Sequence, residues 1–232
     1  MLRFFHTPSD RDALIDECVR RLGAPRRSFI YVVPSARRAR LLEKRLLRAC
    51  PRGFFRPHLF TFYSLVHHLY RQMGGIGMPI SQSVKAMLIE EIASDPSPEL
   101  AILSPRGGRP FPGLVTRLAE LISDLKQNLI DPDAFETRLR ATQGELTPRN
   151  RGLVAVYRRY QQVLSRHALI DTDGMFWLVL DELRTPGRLA GALGEVDLLI
   201  FDGFYDLTRA EGEVLAALIQ QAPDVWIYVD YT

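Results

Sequence analysis

The chain has 232 residues, 47% of them hydrophobic and 25% charged, with a net charge of +3. That is enough apolar material to bury a substantial core in one large domain or two smaller ones. No apolar stretch approaches the roughly 20 residues that cross a bilayer, and MLRFFHTPSDRD lacks the apolar h-region of a secretory signal, so the sequence points to a cytoplasmic protein.

The first part of the chain alternates short apolar runs with helical patterns: LRFFH at 2–6, DRDALIDECVRRL at 10–22, SFIYVVP at 28–34, ARRARLLEKRLLRA at 36–49 and HLFTF at 58–62. Apolar runs without alternation suit strands buried on both faces of a parallel sheet. The order strand, helix, strand, helix, strand predicts a doubly wound α/β domain. This part is also basic, with Arg20, Arg21, Arg26, Arg27, Arg37, Arg38, Arg40, Lys44, Arg45, Arg48 and Arg52 outnumbering a few acids. Such a surface suits phosphate backbones, and equally a solvated helix face in an arginine-rich chain.

From about residue 80 to 190 the strand signal disappears. Leu114, Leu118, Leu121, Ile122 and Leu125 recur at helical spacing, as do Leu153, Val156, Tyr157, Tyr160 and Leu164, with breaks at Pro and Gly clusters. VDLLIFDGF at 196–204 and VWIYVDY at 225–231 then return to the buried-strand pattern, separated by AEGEVLAALIQQA. Two strands make no stable sheet alone, so they are expected to rejoin the N-terminal sheet. The predicted organisation is a discontinuous α/β core, 1–78 and 192–232, interrupted by an all-helical insertion over 79–191.

LLIFDG carries an aspartate at the tip of a buried strand, as in nucleotide-hydrolysing domains where that aspartate holds Mg²⁺. The neighbouring position, which usually supplies a glutamate to activate water, is Gly203. A phosphate-cradling GxxxxGK[ST] loop is absent: the lysines Lys44, Lys85 and Lys126 follow Glu43, Val84 and Leu125, and the segment after the first strand reads HTPSDRDAL, with Ser9 or Asp10 to cap a helix. Asp202 and Gly203 therefore read as a degenerate Walker B position, and no catalytic residue is expected. Asp206 and Thr208 are expected to end the strand and cap the next helix. Cys18 and Cys50 read as free thiols, adjacent His67 and His68 as core or surface residues, and Asp171 and Asp173 of DTDG as helix caps. No metal site is expected.

Several segments together resemble a known family. FTFYSLVHHLY at 60–70 looks like the TFHSL-type DNA-contacting motif of superfamily 1 helicases, VVPSARRARLLEKRL at 32–46 resembles their second strand and basic helix, and ALIDTDGMFWLVLDEL at 168–183 the return from their helical insertion. LLIFDGFYDLTRAEGEVLAAL is similar to their DEFQD strand and helix with glycine for glutamate, and IYVDYT to the next strand with its aspartate. The Asp-Gly-Phe step followed by an acidic helix resembles AddB-type subunits of the AddAB helicase-nuclease.

That resemblance implies a RecA-like, P-loop NTPase-like α/β core, the superfamily 1 helicase domain 1A, interrupted by a helical domain 1B. It implies a helicase-like module without motor activity that guides single-stranded DNA in double-strand-break repair and recombination, beside an AddA-type motor subunit. Arg37 and Arg38 would meet the DNA backbone, Thr61 and Ser64 would offer hydroxyls to phosphates, and Phe62 or Tyr63 a ring for a base. Read from the residues alone, FTFYSL is equally a strand ending in a helix cap, with Phe62 and Leu65 in the core. The family also implies a PD-(D/E)XK exonuclease domain with an iron-sulfur cluster and Mg²⁺. No cysteine follows residue 50 and no second helicase core follows Thr232, so the chain reads as an N-terminal piece of such a protein. A docking scaffold for the motor subunit and an active ATPase stay open as other functions.

Overall fold

The computed structural model describes residues 1–22, 28–50, 58–103, 110–194 and 196–229. They form two compact units, Met1–Gly75 with Leu178–Thr232, and Ile76–Trp177.

The first unit is built on strands β1 (Leu2–Phe5), β2 (Ser28–Val33) and β3 (His58–Thr61), alternating with helices α1 (Pro8–Leu22), α2 (Ala36–Ala49) and α3 (Phe62–Gln72). After the second unit, α9 (Arg188–Leu193), β6 (Val196–Asp202), α10 (Arg209–Gln221) and β7 (Asp224–Tyr228) complete it. The sheet is wholly parallel, in the order β1-β7-β6-β2-β3. Strand β6 pairs directly with β2, Ile30 opposite Leu199 and Tyr31 opposite Ile200, so the late strands do rejoin the early sheet. The five-stranded α/β architecture is compatible with a RecA-like fold.

Local sequence explains these elements. Both faces of β2 are buried, which is why SFIYVV shows no polar alternation. Phe29, Tyr31 and Val33 pack with Leu14 and Cys18 of α1 and Leu42 and Leu46 of α2. On the opposite face the ring of Phe62 in α3 lies 5.9 Å from that of Phe201 in β6. Ser35 caps α2 by accepting the Arg38 N–H. Thr208 caps α10 in a reciprocal box with Glu211, so the cap expected of Asp206 or Thr208 belongs to Thr208. Burial pushes the Cys18 thiol up to about 12, which leaves it an inert core group.

The second unit contains β4 (Met78–Pro79), α4 (Gln82–Ala93), α5 (Pro112–Gln127), α6 (Pro132–Gln143), α7 (Pro148–Arg166), β5 (Leu169–Ile170) and the start of α8 (Thr172–Leu183), within which the boundary falls. Three prolines that interrupt the apolar pattern open α5, α6 and α7, where a missing N–H costs nothing. Ile89, Leu118, Ile122, Val156, Tyr157 and Tyr160 form the unit's own core. The unit is not purely helical: β4 and β5 pair in parallel, Met78 opposite Leu169, in strands of two residues each that leave no periodic signal. Among the described residues no helix is long and apolar enough to cross a membrane.

Candidate functional site at the carboxyl ends of the strands

Ligands of open parallel sheets bind beyond the carboxyl ends of the strands. There Asp202, the last residue of β6, is buried and fully engaged. Arg11 of α1 donates from Nη2 to Oδ1 at 2.8 Å and to Oδ2 at 3.1 Å, and from Nε to Oδ2 at 3.2 Å. The Tyr31 hydroxyl donates to Oδ2 at 2.9 Å. The Arg11 guanidinium also lies over the Tyr228 ring, 5.0 Å from its centre. Burial works against its charge, and the Asp202 carboxylate outweighs that effect and raises its pKa. Burial, then the Asp202 charge, pushes Tyr31 far up, so it stays a neutral donor. This donor set does not fit a divalent cation, which would first have to displace the arginine.

The loop after β1 is likewise closed on itself. Thr7 Oγ1 accepts the Asp10 N–H at 3.2 Å, while Asp10 Oδ2 accepts the N–H groups of Thr7 at 2.8 Å and His6 at 3.1 Å. These donations hold the Asp10 carboxyl below its ordinary range, Thr7 contributing most. Backbone N–H groups at a helix N-terminus, which cradle phosphate in a P-loop, here serve a carboxylate of the same chain. Of the two caps expected, Ser9 and Asp10, Asp10 takes this part, with Thr7.

Gly203 has φ +77, a left-handed conformation open to glycine and strained for glutamate. Its carbonyl accepts a long bond, 3.4 Å, from Arg38 Nη1, and a Cβ at this position would collide with that guanidinium. Arg11, Tyr31, Arg38, Arg45 and Asp202 line a cleft of about 230 Å³ between α1 and α2. Arg38 therefore faces this cleft, whereas Arg37, its neighbour, is exposed.

The other expected nucleic-acid residues divide in the same way. Thr61 and Ser64 form a capping box: Thr61 Oγ1 accepts the Ser64 N–H at 3.2 Å, and Ser64 Oγ accepts the Thr61 N–H at 2.8 Å. Helix α3 thus begins at Phe62, where the apolar run reads as continuing strand. Phe62 is 3% exposed and its ring contacts Phe201 and Phe204, so it is a core residue and not a platform for a base. Tyr63 is 44% exposed, beside His67. His68 packs on Phe60.

Arg26, Arg27 and Arg52 of the basic N-terminal third lie outside the described residues, and the others include two sets. Arg11, Arg20, Arg21 and Arg45 pair with Asp202, Glu17, Asp197 and Asp12. Arg37, Arg40, Lys44 and Arg48, at steps of three and four along α2, are exposed and have no acidic partner among the described residues. Arg11 and Tyr31 are the site residues that sequence reasoning missed, and Asp10 was expected only as a cap. Arg11 stands one turn into the helix that a P-loop would open, which was the available signal.

The second unit holds a buried polar cluster. Lys126 Nζ donates to Asp171 Oδ1 at 2.5 Å and Gln161 Oε1 at 3.2 Å, and Lys85 Nζ to Ser123 Oγ at 2.6 Å and Asp173 Oδ2 at 3.3 Å. The Tyr160 hydroxyl donates to Asp171 Oδ2 at 3.0 Å, and Asp171 caps α8 by accepting the Gly174 N–H at 2.8 Å. Of the two caps expected in DTDG, Asp171 makes one, whereas Asp173 accepts from Lys85, Ser123 and Gln127 in an ionic network the sequence did not reveal. Among the described residues no three His, Cys, Asp or Glu side chains gather as a metal site. Asp230 of IYVDYT lies outside the described residues.

A family model described as ADDB, N-terminal, matches residues 11–231. The B-type subunit of the ATP-dependent helicase/deoxyribonuclease of Exiguobacterium sibiricum is 25% identical over 202 residues, 85% of this chain and 16% of its own length. The proteins of the same name from Alkaliphilus metalliredigens and Ruminiclostridium cellulolyticum are 25% and 27% identical over 178 and 179 residues, each 75% of this chain and 15% of the relative. The chain thus spans about one sixth of the length of these curated relatives.

Proposed function

The chain belongs to the AddB N-terminal family, and from that membership we propose that it is a catalytically silent, helicase-like module that guides single-stranded DNA within a cytoplasmic helicase-nuclease of break repair and recombination, beside an AddA-type motor subunit. In this reading the α/β unit corresponds to helicase domain 1A and the Ile76–Trp177 unit to the inserted domain 1B. Any nuclease activity, with its Mg²⁺ and iron-sulfur cluster, belongs to other parts of the assembly.

The division of the arginines supports this reading. Arg11 neutralises the carboxylate that a Mg-nucleotide would need, whereas Arg37, Arg40, Lys44 and Arg48 stand exposed on α2, which begins at the carboxyl end of β2. A nucleotide is disfavoured where a phosphate backbone is favoured. The test is paired: titrate Mg-ATP by calorimetry and a labelled single-stranded oligonucleotide by fluorescence anisotropy. Salt-sensitive DNA binding without saturable nucleotide binding is expected. Micromolar Mg-ATP affinity that disappears in Asp202→Ala would instead make this an ATPase. A docking scaffold is the second reading, favoured by the exposed apolar side chains Val84 and Met87 of α4.

A further inference from the structure

The glycine that stands where an ATPase carries its glutamate also shapes the loop that follows. Gly203 turns the chain through a left-handed conformation, φ +77, immediately after β6. Phe204 then folds back, its ring 5.8 Å from Phe62 and 6.2 Å from Phe201. Anchored on one side by that glycine and on the other by that aromatic cluster, the loop presents Tyr205 outward. Tyr205 is 63% exposed, more than Tyr63, and its hydroxyl has no partner among the described residues.

Strands β6 and β3 flank β2 in the sheet, so the loop bearing Tyr205 and the first turn of α3 bearing Tyr63 start about 10 Å apart, two strand spacings. Between them β2 leads through exposed Ser35 into the first turn of α2, where Arg37 is exposed. Exposed Arg37 and two exposed aromatic rings are thus carried by the segments that leave three adjacent strands. An aromatic ring accepts any base on its π-face, and the basic residue holds the backbone that joins the bases. Asp206 beside Tyr205 is exposed and unpaired among the described residues, so contact at this ring would rest on the base and not on phosphate attraction.

We propose that Tyr205 is a second base-stacking residue, which with Tyr63 holds neighbouring bases of one DNA strand across the carboxyl edge of the sheet. The proposal rests on the reading of this edge as a single-strand path. It gives the glutamate-to-glycine difference a second consequence: the position that lacks a catalytic base makes the turn that displays a ring.

The experiment is an anisotropy titration of a labelled oligothymidylate at several salt concentrations, with the parent, Arg37→Ala, Tyr63→Ala, Tyr205→Ala and Tyr205→Phe, each checked for an unchanged melting curve. Tyr205→Ala is expected to weaken binding roughly 5- to 150-fold, the range for loss of one stacked base, with the salt slope unchanged. Tyr205→Phe keeps the ring and is expected to bind as the parent does. Parent-like binding by Tyr205→Ala, with Arg37→Ala and Tyr63→Ala both weakened, overturns the inference and leaves the DNA path standing. If Tyr205→Ala then fails to retain the motor subunit on purification, the ring belongs to a protein interface. Binding by Tyr205→Phe as weak as by Tyr205→Ala also overturns stacking. No saturable binding by the parent, or identical curves for all variants, overturns the single-strand path and the inference with it.

Discussion

Arg11 and Asp202 stand 191 positions apart in the chain and 2.8 Å apart in the fold. Their contact joins the first helix to the strand that returns after the second unit. Without Arg11, the buried carboxylate keeps Tyr31 as its side-chain donor. Arg11→Ala is therefore expected to lower stability by about 2 kcal/mol, a typical value for hydrogen bonds to a charged group. Arg11→Lys should recover only part, because a point charge cannot reproduce the planar fork. Urea unfolding of the three proteins checks this, and equal midpoints would show that the pair does not tie the halves together.

Restoring a glutamate should not restore hydrolysis. Gly203→Glu places a side chain where φ is +77, at a cost of about 1–2 kcal/mol, and its Cβ forces the Arg38 guanidinium to move. The phosphate cradle is still missing, since the N–H groups of His6 and Thr7 bind Asp10. The expected result is a lower melting temperature and phosphate release from ATP no faster than in the parent. Measurable turnover in Gly203→Glu would mean that the base was the one missing part.

These two predictions rest on residues of unequal visibility in the sequence. The sheet was legible because SFIYVV and VDLLIFD are continuous apolar runs, which parallel strands buried on both faces require. The pairing of Arg11 with Asp202 was not, because contacts between distant segments leave no periodic trace. Tyr31 counted as one more apolar residue of its strand, and only the fold shows its hydroxyl on Asp202. FTFYSL left two readings open, and the strand ending in a helix cap is the one found: the Thr61–Ser64 box starts a helix at Phe62, so Phe62 turns into the core and Tyr63 outward. Sequence could propose a ring from that pair, and burial chooses between them.

The two adjacent arginines of α2 should behave differently toward DNA. Arg37 is exposed, so Arg37→Ala is expected to flatten the log-log salt dependence of single-strand binding by roughly 0.7, the value for one phosphate contact. Arg38 faces the cleft and reaches the Gly203 carbonyl. Arg38→Ala should leave the slope unchanged and mainly loosen the loop that follows β6. Anisotropy titrations across salt concentrations separate the two, and an equal change in slope for both would place Arg38 on the DNA as well.

The last prediction concerns the buried cluster of the second unit, where Lys85 and Lys126 are each 1% exposed. Burial alone would favour a neutral Asp171, yet the Lys126 ammonium outweighs it and holds the carboxyl below its ordinary range. A folded pKa below the unfolded value of about 3.9 gives stability that is complete above that value and is lost as pH falls through the folded one. Burial lowers the pKa of Lys126, so its charge carries a cost at neutral pH that fades only as pH rises toward about 10.4. Removing one partner should be worse than removing both. Lys126→Met leaves carboxylates buried with one ammonium fewer and is expected to cost about 3–5 kcal/mol, while Lys126→Met with Asp171→Asn should recover much of that and keep an oxygen to cap Gly174. Urea midpoints from pH 3 to pH 8 provide the check: the double variant should lose less stability than the parent below about pH 4. If the costs of Lys126→Met and Asp171→Asn measured singly were additive in the double variant, Lys126 and Asp171 would not be coupled.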